Sequence, residues 1–271
     1  MFGKVKKLEK ENAALRAMLA AAGVRENTPD ADTVRDAWIA PAGYTWQLGD
    51  AVLDGVHCLI AGTTGCGKST LINSIIFSAL AKTPADVRLI LCDPKRVELY
   101  KYSKLPHVLR YAEDAAGIVS ALEYATRIMD RRYIDMRARG IDRYSGGPEI
   151  YVIIDELADL MIGPQKKAFS ATLQRLLQLA RAAGIHVIAA TQAPNRKIIP
   201  AEIVLNFPQR IGLKCLSGIE SRQIVGLAGC ETLPAHGIGV FVDGARVERA
   251  EIPLTPAEDL AARIAFWDAQ A

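Results

Sequence analysis

A chain of 271 residues, half of them apolar and 23% charged, is long enough for one or two domains with a sizeable core, and its composition excludes disorder, collagen and small disulfide scaffolds. The longest apolar runs, such as YVIID and IGLKCL, fall far short of the ~20 residues of a membrane-spanning helix, and acids and Arg16 interrupt the start where a secretory signal needs an apolar region, so no membrane insertion and a cytoplasmic location are expected. The net charge of +3 sits entirely in residues 1–22, which leaves the remainder neutral, so that a nucleic acid would be held by local basic loops and not by a broadly positive surface.

Val5, Leu8, Asn12, Leu15, Leu19 and Ala22 alternate three and four residues apart, the spacing of a heptad seam. This predicts a helix over residues 1–23 that either pairs copies of the chain, docks a protein partner or lies on its own subunit. Gly23 and RENTPDADT end it, and residues 24–55 read as a linker and lead-in to a domain over residues 56–271. From residue 56 short β-rich runs alternate with longer helical ones, which predicts an α/β fold with a mostly parallel sheet. The strand candidates are residues 57–62, 87–93, 150–155, 185–191 and 209–215. Ile118, Leu122, Ala125, Met129 and Met136 share one helical face, and Gly140 is a natural stop. Asp243-Gly244 predicts a hairpin turn within residues 238–252, and TPAE at 255–258 a final helix capped by Thr255, with Pro256 in its first turn and Glu258 reaching back. Five cysteines without CxxC spacing fit reduced thiols better than bridges or zinc.

The strongest chemical signal is GTTGCGKS at 62–69, between a strand and a helix. Its glycines let the backbone curl so that several amides face one phosphate, and the helix N-terminus adds partial positive charge. Gly62, Thr63, Thr64, Gly65, Cys66, Gly67, Lys68, Ser69 and Thr70 are therefore expected to surround the phosphates of ATP, with Lys68 on the β- and γ-phosphates and Ser69 on Mg²⁺. The apolar run IYVIID then delivers Asp155 to the metal's water shell and Glu156 as the general base for an attacking water. Gln192, in Ala190-Thr191-Gln192 at the end of the next strand, is placed to sense the γ-phosphate. These elements together predict a P-loop ATPase.

Over residues 57–252 the sequence also resembles the motor domain of the FtsK/SpoIIIE family of double-stranded DNA translocases. The resemblance rests on HCLIAGTTGCGKSTLINSII, LCDPKRVELYKYSKLPHVL, EYATRIMDRRYIDMRARGI, VIIDELADLM, LQLARAAGIHVIAATQAP and NFPQRIGLKCLSGIESRQIVG. It implies a RecA-like fold, a hexameric ring of copies around duplex DNA and ATP sites at subunit boundaries. By position Lys68 and Ser69 fall on the family's Walker A residues, Asp155 and Glu156 on its Walker B pair and Gln192 on its sensor. Asp93 and Lys95 fall on the DPK motif, for which the sequence offers no physical account of Lys95. A ring motor commonly takes an arginine in trans, worth ~10³ to 10⁵ in rate where it has been measured; Arg210 is the leading candidate, with Arg181 and Arg222 as alternatives.

Departures from the family pattern bear on DNA contact. Ala193 and Gly218 stand where bases are common, and Arg196 and Lys197 on APNRKIIP are expected to replace them as non-specific phosphate contacts. Cys66 replaces the usual serine, which predicts an ATPase sensitive to thiol reagents. The sequence leaves two other readings open: a related ATPase coupling protein for conjugation, packaging or secretion with a protein substrate, and an adaptor that uses nucleotide only to switch assembly through the heptad helix.

Overall fold

The computed structural model describes residues 56–270 apart from Ala245 and Pro253. The heptad helix over 1–23 and the linker over 24–55 lie outside the described residues.

Strand β1 (Cys58–Ala61) is followed by α1 (Lys68–Ala79), β2 (Val87–Cys92), a 3₁₀ turn (Tyr100–Tyr102), β3 (Val108–Ala112), α2 (Ala115–Arg139), β4 (Glu149–Ile154), α3 (Leu157–Ile162) and α4 (Lys166–Leu179). Then come β5 (Ile185–Thr191), α5 (Ala201–Leu205), β6 (Gln209–Gly212), α6 (Gly218–Val225), a second 3₁₀ turn (Cys230–Thr232), the β7–β8 hairpin (Ile238–Asp243, Arg246–Glu251) and α7 (Ala257–Asp268). One sheet runs β3-β2-β4-β5-β1-β6-β7-β8. β3 through β6 are parallel, and β7 and β8 add an antiparallel edge.

The sheet is buried on both faces because its strands carry apolar residues at successive positions, as parallel strands between helical layers must. Ile60, Tyr151, Ile153 and Ile188 face α1, α7 and the first 3₁₀ turn; Leu59, Val152, Ile154, Val187 and Ala189 face α2, α3, α4 and α5. Each fully buried Leu or Ile contributes roughly 1.5–3 kcal/mol relative to exposure. A third cluster, with Ile224, Val225, Val240 and Val242, closes α6 onto the antiparallel edge.

The predicted helix stop and hairpin both form. Asp114 caps α2 by accepting from Gly117 N (2.8 Å), and Gly140, at φ 64°, ends it in the left-handed conformation that glycine adopts without strain. Asp243-Gly244 turns the hairpin, with Gly244 at φ 58°. Three local expectations fail. VLRYA (β3) is a strand that the sequence analysis missed. β6 ends at Gly212, three residues early, because Lys214 O is taken up by the loop after β1, accepting from Thr63 N (2.8 Å). Thr255 does not cap α7: its hydroxyl is buried against Ser74 (3.0 Å), the cap position belongs to Pro256, and no side chain bonds the first amides. Among the described residues no helix is long and apolar enough to cross a membrane.

Candidate active site

The ends of β1, β4 and β5 bring the sequence-predicted residues to one edge of the sheet. β5 lies between β4 and β1, so the acids that follow β4 and the loop that follows β1 are bridged by residues at the end of β5. In parallel α/β sheets this carboxyl edge, where strand order reverses, is where ligands bind.

The loop is held at its base and open at its tip. Gly62 N bonds Thr191 O (3.2 Å), and the Thr63 amide and hydroxyl both bond Lys214 O (2.8 and 3.1 Å). A Cβ on Gly62 would fall 2.6 Å from Leu213 Cβ and 2.7 Å from Cys66 Sγ, so Gly62 is required by close approach and not by its φ. Gly65 and Gly67 are required by conformation, at φ 77° and 98°, and a Cβ on either would meet nothing within 4 Å. Among the described residues the amides of Thr64, Gly65, Gly67 and Ser69 find no acceptor, while the Lys68 amide bonds the Cys66 sulfur. Four free amides on a turn at a helix N-terminus form a cradle that an anion satisfies.

Lys68 is almost fully buried and bonds Asp155 twice, at its carboxylate Oδ1 (2.6 Å) and its backbone carbonyl (2.7 Å). Asp155 Oδ2 is buried without a partner. Burial pushes the Asp155 carboxyl above the usual carboxylate range, against the opposing pull of the Lys68 ammonium; Glu98 and Asp93 add to the rise. The orphaned Asp155 oxygen and the Ser69 hydroxyl are oxygen donors of the kind a hard divalent cation takes. Ser69 Oγ meanwhile donates to Glu98 Oε1 (2.6 Å), a partner that sequence reasoning missed.

Glu156 is 2% exposed and connects three elements. It caps α3 by accepting from Ala158 N (3.3 Å), accepts from Gln192 N (3.1 and 3.2 Å) and pairs with Lys95 (3.0 Å). Burial pulls the Lys95 pKa down, but the hydrogen bond and charge of Glu156, with Asp159 and Asp155, outweigh it, so the net shift is upward. Gln192 Oε1 in turn accepts from Thr64 of the loop (2.9 Å). The predicted loop, acid pair and sensor are therefore joined by direct bonds.

The remaining candidates lie outside this circuit. Arg210 is half-buried on β6, with Nη1 reaching Ile224 O at 3.5 Å and Nε buried without a partner; burial lowers its pKa. It lines a cavity of about 390 Å³ together with Arg196, Arg222, Leu59 and Thr191. Arg181 and Arg222 are exposed, as are Arg196 and Lys197 on a turn organised by Asn195, whose Oδ1 accepts from Lys197 N (2.9 Å). Cys66 corrects an expectation. Its side chain is buried in the core under α1, and burial raises its thiol pKa, so it lacks the exposed thiolate that thiol reagents attack.

A family model for the FtsK/SpoIIIE family matches residues 39–149 and 144–196. The chain belongs to the FtsK/SpoIIIE family. The match reaches upstream of the described residues and stops before the segment that carries Arg210 and Arg222. Among curated relatives, the DNA translocase FtsK of Brucella melitensis biotype 1 is 39% identical over 241 residues, covering 73% of this chain and 29% of that protein. The DNA translocase SftA of Bacillus subtilis is 40% identical over 202 residues, covering 69% and 21%. This FtsK/SpoIIIE chain thus spans less than a third of the length of those relatives.

Solved structures with a similar fold include the pCW3 conjugation coupling protein TcpA in its monomer form with ATPγS, with a TM-score of 0.68 and 22% identity over 78% of this chain and 65% of that one. The cytoplasmic domain of the Thermomonospora curvata type VII secretion ATPase EccC gives a TM-score of 0.66 and 21% identity, over 78% of this chain and 28% of that one. The fold is that of the RecA-like P-loop ATPases.

Proposed function

We propose that this chain hydrolyses ATP with Mg²⁺ and uses the energy to move along double-stranded DNA in the cytoplasm, as a ring of identical copies. The observation that carries the reading is the bonded convergence of Lys68, Asp155, Glu156, Gln192 and Thr64 beside four amides without acceptors. In this reading Gly62 to Thr70 cradle the phosphates, and Lys68 exchanges its bond to Asp155 for one to the β- and γ-phosphates. Ser69 and the free oxygen of Asp155 would hold Mg²⁺, which would offset charge on the transferring phosphoryl group. Glu156 takes the proton of the attacking water, and Gln192 couples the state of the γ-phosphate to the segment that follows β5. Arg210 acts in trans on a neighbouring copy, with the exposed Arg181 and Arg222 as the alternatives. Arg196 and Lys197 contact DNA phosphates without sequence preference. The helix over 1–23 pairs copies or docks a protein partner.

Duplex DNA is preferred to a protein substrate because the relatives near 40% identity are DNA translocases, whereas the coupling and secretion ATPases are similar at the level of fold. The test is ATP turnover with and without linear duplex across a salt series. Stimulation of several-fold, falling as salt rises because phosphate contacts release counterions, is expected, together with ATP-dependent displacement of a bound roadblock. Turnover indifferent to duplex, with no displacement, would remove the motor reading.

A further inference from the structure

The loop after β2 touches both halves of the site. Its Glu98 accepts from Ser69 (2.6 Å), and its Lys95 pairs with Glu156 (3.0 Å). The loop is held firmly between these two points. Asp93, fully buried, accepts from Val97 N (3.3 Å) and Leu99 N (2.9 Å), and Tyr102 OH donates to Asn73 of α1 (2.7 Å). Arg96 is held at φ 60°, a left-handed conformation that an arginine adopts only where its surroundings enforce it. Outward, Val97 is 73% exposed.

The consequence falls on Glu156. Its Oε1 accepts from Ala158 N (3.3 Å) and Gln192 N (3.1 Å), and its Oε2 from Gln192 N (3.2 Å) and Lys95 (3.0 Å). A general base must offer a lone pair to the proton it removes. With Lys95 on Oε2 and the side chain 2% exposed, neither oxygen of Glu156 is open to a water. Two of the three donors are backbone amides, Ala158 N on α3 and Gln192 N after β5, the latter shared by both oxygens. The third is a flexible side chain that is one-third exposed, and so is the partner that can be given up.

We propose that Lys95 is a positioning residue that restrains the general base: while its ammonium occupies Glu156 Oε2, the base cannot act, and Glu98 links that restraint to Ser69. This rests on the ATPase reading above. Were the Ser69 hydroxyl to turn to a metal ion, Glu98 would lose its donor, the loop would lose one of its two ties to the site, and release of Lys95 would return an oxygen of Glu156 to water.

The experiment compares the full chain with Lys95→Met, Lys95→Arg and Glu98→Ala. Steady-state ATP turnover is measured with and without duplex, and Mg²⁺-dependent binding is followed with a fluorescent non-hydrolysable ATP analogue. Lys95→Met is expected to raise kcat without DNA by about tenfold, the factor carried by one hydrogen bond to a charged group. KM should stay within about twofold, since Lys95 touches the base and not the phosphate cradle, and the ratio of DNA-stimulated to basal turnover should shrink. Lys95→Arg, which keeps the pair, should restore wild-type values. Glu98→Ala should lower the Mg²⁺ concentration at which the analogue binds, a readout independent of turnover. A Lys95→Met protein that folds with unchanged or reduced basal kcat, or that changes KM alone, overturns the restraint while leaving the ATPase reading intact. A wild-type chain without ATP turnover overturns that reading and the restraint with it.

Discussion

Replacing Lys68 is the usual way to disable a phosphate-binding loop, and in this protein the replacement also strikes the fold. The Lys68 and Asp155 side chains are only 4% and 1% exposed, and among the described residues the Nζ to Oδ1 bond of 2.6 Å is the one ion pair of Asp155, its second oxygen being unpartnered already. Lys68→Met therefore leaves a buried carboxylate with no compensation. Breaking one side of a buried pair costs roughly 3–5 kcal/mol. For a body of this size that corresponds to a drop of about 10 °C in Tm. The sign of the pH dependence follows from Asp155. Its folded pKa lies above the ordinary value and rises further without Lys68, so the carboxyl is tolerated when protonated and penalised as pH rises through that pKa. The deficit of Lys68→Met should accordingly be larger at pH 7.5 than at pH 5, and Lys68→Met/Asp155→Asn should recover most of it. Thermal melts of the four proteins of the cycle, without nucleotide and at both pH values, measure this. A Lys68→Met melt within about 1 °C of wild type, which is below the ~2–4 °C expected per kcal/mol, or a double variant less stable than the single, would refute the account.

Other outcomes follow from the same geometry. Glu156→Gln keeps an acceptor for Ala158 N and Gln192 N, so nucleotide binding by calorimetry and the Tm should stay close to wild type while turnover falls by about 10² or more; normal turnover would remove Glu156 from the chemistry. Cys66 should react with iodoacetamide at pH 7.5 far more slowly than a free thiol, as followed by mass spectrometry; rapid labelling would contradict its burial. His57, buried and accepting from Val187 N, has a pKa lowered to about 3 by burial first and then by the charges of His186 and Arg181. The unfolded chain therefore binds this proton first, and stability present above pH 6.5 is lost towards pH 3 at ~1.4 kcal/mol per unit, or about 2 kcal/mol by pH 5. His57→Asn should flatten that acid limb in urea melts at pH 7 and pH 5, and an unchanged slope would count against it.

The elements legible in the sequence are those whose physics is local. GTTGCGKS carries its glycines, lysine and serine in one string, and IYVIID announces a buried strand that ends in acids, so both motifs were in hand before any fold. The helix stop at Gly140 and the turn at Asp243-Gly244 depend on single residues able to take a positive φ. β3 escaped notice because it is an edge strand, partly exposed, with Arg110 at its centre, and so lacks the apolar signal of its neighbours. Lys95 and Glu98 were opaque for a different reason. Their partners, Glu156 and Ser69, stand 61 and 29 positions away, and no periodicity links a loop after β2 to the end of β4 or to the start of α1. Thr255 misled because a threonine before Pro and Glu looks like a cap whether or not its hydroxyl has a better partner in the core.

The strap from Thr63 to Lys214 has a mechanical corollary. A glycine-rich loop tied through the amide and hydroxyl of Thr63 to the segment beyond β6 cannot flex as an isolated flap. Lys214 is itself anchored to Glu231 O (2.7 Å), and the same stretch of backbone runs directly into the helix that bears Arg222. Tightening around a triphosphate at one rim of the sheet would thus tug, through a few stiff covalent links, on the arginine-bearing shoulder at another, with no long relay across the interior.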